Sequence, residues 1–299
     1  MDGPTRWLRP NISRTRQITQ FMYVEHLRIP IGSGALHVER VGRGGPPVVL
    51  LHGFGTCAFL WRRLSPALAM AGYTAIAIDL LGYGESDRPE DASYGLAAQA
   101  EYLERALAAL RLSGVTVVGQ DIGALVALLL AASPRTRIEG VVMLSPPDPD
   151  DLPGATIRSL QRRSARVAFN ANTLFGAQPA LAPLLRSGVT SPERMSDLLV
   201  ARYLAPFVGS DGLTQLVQRA TAVELSDAAR SAVATVVGPV LVIAGDTESP
   251  KPSLSWSALL PASNVESHRL AGVGWLVPED APGILRDLLV SGLAAQRKS

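Results

Sequence analysis

Val117-Val118-Gly119-Gln120-Asp121-Ile122-Gly123, followed by the apolar run Ala124 to Ala132, carries the fold of this chain. A β-branched stretch too short for a helix runs without a linker into a segment too apolar for a surface helix. Between them stands Gly-x-Asp-x-Gly. Glycines at both flanks permit a tight strand-to-helix turn, which lifts the central residue to the top of a sheet. The helix that follows aims its backbone N–H groups and its positive dipole end at that residue. In isolation the aspartate would read as a helix cap. Its neighbours along the chain favour a functional role.

Working outward, apolar β-branched runs recur at 27–31, 35–41, 48–51, 74–78, 115–118, 140–144, 240–244 and 265–270. Helical patterns lie at 59–71, 96–112, 122–132, 253–260 and 279–293. The first two runs face each other across Gly32-Ser33-Gly34 and predict a hairpin. The others alternate with helices and are continuously apolar, which predicts a mostly parallel eight-stranded α/β sheet covered on both faces. Between about Pro147 and Val236 the alternation stops. Helical patterns such as 157–169 and 195–203, broken by Pro and Gly, predict a helical cap inserted over the carboxyl edge of the sheet. The expected organisation is an N-terminal arm over 1–23, a core over 24–146 and 237–299, and a cap over 147–236. The arm is open to two readings, a flexible tail or a homodimer contact.

Composition narrows the function classes. Net charge is +2 and the arginines are scattered, so there is no basic face for nucleic acid. Cys57 is the one cysteine, which excludes an internal disulfide and a cysteine-based zinc site. It is expected to pack as a small hydrophobe. The longest apolar stretch, 123–132, is too short to span a bilayer, and residues 1–23 carry four arginines without an apolar signal core. A cytoplasmic protein acting on a small molecule is expected, with no membrane partner, no cofactor and no metal. Mean hydropathy of +0.20 fits an apolar pocket or an oligomer interface.

Two further motifs fall at predicted strand ends: His52-Gly53-Phe54-Gly55, and Asp79-Leu80-Leu81-Gly82-Tyr83-Gly84-Glu85-Ser86-Asp87-Arg88-Pro89. Together with the elbow, in this order, they resemble the α/β-hydrolase superfamily: its HG oxyanion loop, its DxxGxGxSDxP segment and its nucleophile elbow. The aspartate at the elbow is similar to the epoxide hydrolase and haloalkane dehalogenase branch. That resemblance implies attack by the Asp121 carboxylate on carbon and an oxyanion hole from the Phe54 and Ile122 backbone N–H groups. It also implies an acid after the seventh strand, at Glu248 or, less in keeping with the spacing, Asp246. Asp148 is the alternative acid position. His52, Gln120 and Tyr203 are candidates for substrate contact, Tyr203 as a cap tyrosine that polarises an epoxide oxygen.

Two departures from the family pattern bear on mechanism. Aligned on Asp280 and Pro282, the family's catalytic histidine position holds Trp275, whose indole can donate a hydrogen bond but not accept a proton. His26, His37 and His268 lie elsewhere along the chain. The halide-binding positions after the nucleophile and after HG hold Ile122 and Phe54, which offer no side-chain donor. The sequence therefore points to chemistry at Asp121 without the histidine-dependent hydrolytic step: epoxide opening with cyclisation, elimination or isomerisation. Hydrolysis by a base found elsewhere, and ligand binding without catalysis, are the competing readings.

Overall fold

The computed structural model describes residues 23–152, 157–158, 162, 178–208, 210–247, 256–261 and 265–296. Eight strands form one sheet: β1 (Val24–Pro30), β2 (Ala35–Val41), β3 (Pro47–Leu51), β4 (Thr74–Ile78), β5 (Val115–Gln120), β6 (Ile138–Leu144), β7 (Val240–Gly245) and β8 (Val265–Leu270). Their spatial order is β1-β2-β4-β3-β5-β6-β7-β8. The β1–β2 and β2–β4 pairs are antiparallel and all later pairs are parallel. The expected mostly parallel eight-stranded α/β architecture is therefore present. Every residue of β4, β5 and β7 is buried, as parallel strands covered on both faces must be.

Helices α1 (Leu64–Met70), α2 (Leu96–Ala109) and α3 (Ile122–Ala132) follow β3, β4 and β5. In α3 every residue from Ile122 to Leu130 is buried, so its all-apolar composition reflects contact on all sides. The helix expected over 59–71 is in fact a 3₁₀ turn, Ala58–Trp61, and then α1. The helix expected over 279–293 is likewise broken, because Pro282 lacks the N–H needed to continue it and instead begins a new helix.

Among the described residues between β6 and β7 there is no strand. They form α4 (Gln178–Ser187), α5 (Asp197–Leu204), α6 (Ser210–Thr221) and α7 (Asp227–Val233), with short 3₁₀ turns at Pro192–Arg194 and Ala205–Phe207. The helix expected over 157–169 lies almost wholly outside the described residues, as does residues 1–22 of the expected arm. After β7 come α8 (Trp256–Leu259), α9 (Val277–Asp280) and α10 (Pro282–Gln296). No helix among the described residues is long and apolar enough to cross a membrane.

Candidate active site

Asp121 joins β5 to α3 with φ 52° and ψ −123°. A side chain there costs on the order of 1–3 kcal/mol of backbone strain, which the surrounding packing must offset. The flanking glycines make the turn possible. A Cβ on Gly119 would stand 2.3 Å from the Gly123 carbonyl oxygen, and one on Gly123 would stand 2.4 Å from that of His52. Both obstacles are backbone and cannot swing aside. The elbow is thus wedged against the loop that follows β3.

That loop supplies the partner of the carboxylate. The Phe54 N–H donates to Asp121 Oδ2 at 2.9 Å. The Ile122 N–H also favours the ionised form. Burial acts against them and is the larger effect, raising the Asp121 pKa to about 6. None of the ion pairs among the described residues includes Asp121, so no arginine or histidine counters that burial. Oδ2 is thus held by a backbone donor of the loop after β3.

The four histidines of the chain are all placed. His52 is fully buried. Its Nδ1 pairs with the Gly53 carbonyl at 2.8 Å and its Nε2 accepts from the Leu80 N–H at 3.0 Å. This corrects its expected role in substrate contact, because both ring nitrogens are spent on backbone and the ring ties the ends of β3 and β4 together. His268 pairs with Glu266 on β8. His26 and His37 meet across the β1–β2 hairpin.

Gln120 is fully buried and donates through Nε2 to the Trp275 carbonyl at 2.8 Å. Its Oε1 has no hydrogen-bond partner. The loop bearing Trp275 is thereby tied to the residue that precedes Asp121. The half-buried Trp275 ring packs against Gly188 of the cap region, where a Cβ would meet the indole at 2.8 Å. Asp280 fixes the same loop. Its Oδ2 accepts from the Gly274 N–H at 2.7 Å, and its Oδ1 accepts from Thr190 and Arg194, both at 2.9 Å.

Tyr203 is not where a tyrosine acting on substrate should be. It is fully buried and donates to Glu279 Oε1. Arg62 grips the same carboxylate through both terminal nitrogens, the longer contact at 2.8 Å. The expectation of Tyr203 as an epoxide-polarising group is therefore corrected: its hydroxyl helps clamp α5 to α9. Sequence reasoning missed this clamp, since Arg62, Tyr203 and Glu279 are far apart in the chain and form no motif.

Of the candidate acids, Glu248 lies outside the described residues. Asp246 accepts from the Gly272 N–H at 2.7 Å and so shapes the turn after β8. Asp148 accepts from the Asp150 N–H at 3.0 Å. Cys57 is buried, and burial pushes its thiol pKa well up, in line with packing.

The family model described as the alpha/beta hydrolase fold matches residues 46–250. An epoxide hydrolase of Caballeronia sordidicola is 42% identical over 114 residues, covering 38% of this chain and 34% of that protein. A haloalkane dehalogenase of Mycobacterium marinum is 37% identical over 108 residues, 36% of either chain. The chain thus matches only about a third of the length of these relatives. Among solved structures, Cfl2 from Burkholderia cenocepacia superposes with a TM-score of 0.79 at 26% identity, covering 92% of this chain and 97% of that one. The epoxide hydrolase CorEH gives 0.74 at 25% identity, covering 91% and 99%.

Proposed function

This chain belongs to the α/β-hydrolase-fold family, and we propose that within it Asp121 is the catalytic group of an enzyme that rearranges a small apolar substrate without consuming water. The observation that carries this reading is the isolation of Asp121. Its side chain is half-buried, held by the Phe54 N–H through Oδ2, and outside every ion pair of the described residues. Meanwhile each histidine is engaged elsewhere. A pKa near 6 suits a group that gives and takes a proton near neutrality.

The reaction that fits is opening of an epoxide by a hydroxyl of the same molecule. Protonated Asp121 gives its proton to the epoxide oxygen as the carbon–oxygen bond breaks. The substrate hydroxyl oxygen forms the new bond to that carbon, and its proton returns to the carboxylate. Atoms and charge balance, and the acid is regenerated. Trp275, with its half-buried indole, contributes an apolar wall and no base.

An aliphatic epoxy-alcohol incubated with the protein in ¹⁸O-labelled water tests this. A cyclic ether of unchanged mass without label is expected. Label in a triol product would instead establish hydrolysis, the reading favoured by the similarity to epoxide hydrolases and dehalogenases. Stabilisation by the compound without any product would indicate a binding protein.

The pH profile gives a second check. A proton donor must be protonated, so kcat/KM is expected to fall as pH rises through about 6. A carboxylate nucleophile must be ionised, and a rise over the same interval would exclude the donor role.

A further inference from the structure

The β1–β2 hairpin carries a second cluster of chemistry-bearing side chains, outside the Asp121 site. In this antiparallel pair His26 stands opposite Glu39, and Arg28 stands opposite His37. Alternation puts all four side chains on one face of the sheet. His26 Nδ1 and His37 Nε2 face each other at 3.0 Å. One nitrogen from each ring and a carboxylate oxygen of Glu39 lie within 4.8 Å of one another.

We propose that His26, His37 and Glu39 bind a divalent transition-metal cation of the zinc type, through His26 Nδ1, His37 Nε2 and the Glu39 carboxylate.

Four observations converge on this site. First, the donor set is right: two imidazoles and one carboxylate suit Zn²⁺ or Co²⁺ better than Mg²⁺ or Ca²⁺, which prefer oxygen throughout. Second, the spacing is close to right. Nitrogens bound tetrahedrally at about 2.0–2.1 Å lie roughly 3.3 Å apart, so the pair need separate by only a few tenths of an ångström. Third, His37 is oriented from behind. Its Nδ1 pairs with Asp79 Oδ2 at 2.8 Å, which places the lone pair of the neutral ring on Nε2. A carboxylate behind a metal-bound imidazole is the usual means of fixing tautomer and ring angle. Asp79 is itself held by the Ala58 and Glu85 N–H groups at 2.6 and 2.9 Å.

Fourth, Glu39 is half-buried and makes no hydrogen bond or ion pair among the described residues. A simple His26–His37 hydrogen bond would satisfy the two rings and leave this carboxylate unsatisfied. A cation satisfies all three. The arginines that line the same cleft do not replace it: Arg28 pairs with Asp87, Arg202 pairs with Glu85, and Arg88 donates to the Gly84 carbonyl. A cleft of about 460 Å³, lined by His37, Glu39, Asp79 and Glu85 and reaching Arg202 and Pro206 of the cap region, leaves room for water at the fourth coordination position.

The test uses the full chain, freed of metal by dialysis against a chelator, and titrated with Co²⁺. One Co²⁺ per chain is expected, with the visible absorption of a tetrahedral site, and Zn²⁺ should displace it and raise Tm. His26→Ala and Glu39→Gln should each weaken Co²⁺ binding at least tenfold and abolish the Tm rise. His268→Ala, on β8, should change neither. His26 is exposed, so its replacement spares the core, and circular dichroism checks the fold of each variant. No binding to the unaltered protein, or an affinity in Glu39→Gln and His26→Ala equal to that of the unaltered protein, would overturn the assignment and leave a hydrogen-bonded histidine pair.

Discussion

Asp121→Asn is expected to keep the fold and to lose roughly a hundredfold to ten-thousandfold in turnover, the usual contribution of a positioned proton-transfer group. The amide is close to isosteric, and its carbonyl can still accept from the Phe54 N–H, so the elbow has no reason to reorganise. The same substitution should alter stability in a direction opposite to its effect on activity. In the folded chain Asp121 titrates near 6, against 3.8 as the ordinary value. A group with a raised folded pKa adds stability that is fully present below its unfolded pKa and is lost as pH rises through the folded one. The wild-type protein therefore gives up stability between about pH 4 and pH 6. Asparagine, uncharged throughout, does not. At pH 8 the variant should be more stable by roughly 1–3 kcal/mol, and at pH 4 the difference should close. Denaturant unfolding at the two pH values measures this without any substrate. Equal stability at both would mean that burial does not raise the Asp121 pKa, and retained turnover would remove Asp121 from the chemistry.

Glu279→Ala is expected to destabilise the protein by about 3–5 kcal/mol, a fall in Tm of roughly 6–12 °C. Its carboxylate is almost wholly inaccessible and satisfies both the Arg62 guanidinium and the Tyr203 hydroxyl. Removing it leaves a largely buried cation and a buried hydroxyl without their partner, and that loss exceeds the net worth of the intact interaction. Because Tyr203 lies on α5 and Glu279 on α9, the same change frees the cap region from the segment that ends the Trp275 loop. A double variant, Arg62→Ala with Glu279→Ala, should lose clearly less than the sum of the single variants, since the orphaned cation is then gone. Strict additivity would show that the two side chains do not stabilise each other. A loss under 1 kcal/mol would show that water replaces the clamp.

The two effects separate chemistry from architecture. Asp121 sits under strain and without a charge partner, at a cost to stability, as groups poised for reaction commonly do. Glu279 and Asp280 are adjacent acids of another kind. Each is buried with a full set of donors and each holds together segments distant in the chain.

How much of this was legible in the sequence depends on the range of the interaction concerned. The strands could be read because a buried parallel strand is an unbroken β-branched run, and that pattern is local. The elbow could be read for the same reason: Gly119 and Gly123 yield to backbone atoms within one turn of chain or in the adjacent loop. Helix ends were read less well. Pro66 and Pro282 allow either a continuous helix or a break, and the packing around Trp61 and Leu285, both fully buried, accompanies the break.

The sequence by itself determined the fold and the residue that stands at the elbow between β5 and α3. It could not assign His52 or Tyr203, because a polar side chain has many possible partners and only the closed structure selects among them. His52 spends its ring on Gly53 and Leu80, and Tyr203 is taken by Glu279, 76 residues away. The cluster of His26, His37 and Glu39 was hidden for a similar reason. Its members are spaced by strand register across a hairpin, and the carboxylate behind them, Asp79, arrives from another strand end. Local periodicity fixes what each segment becomes, whereas the pairing of buried polar groups, which requires desolvation and exact distances, is decided only when those segments meet.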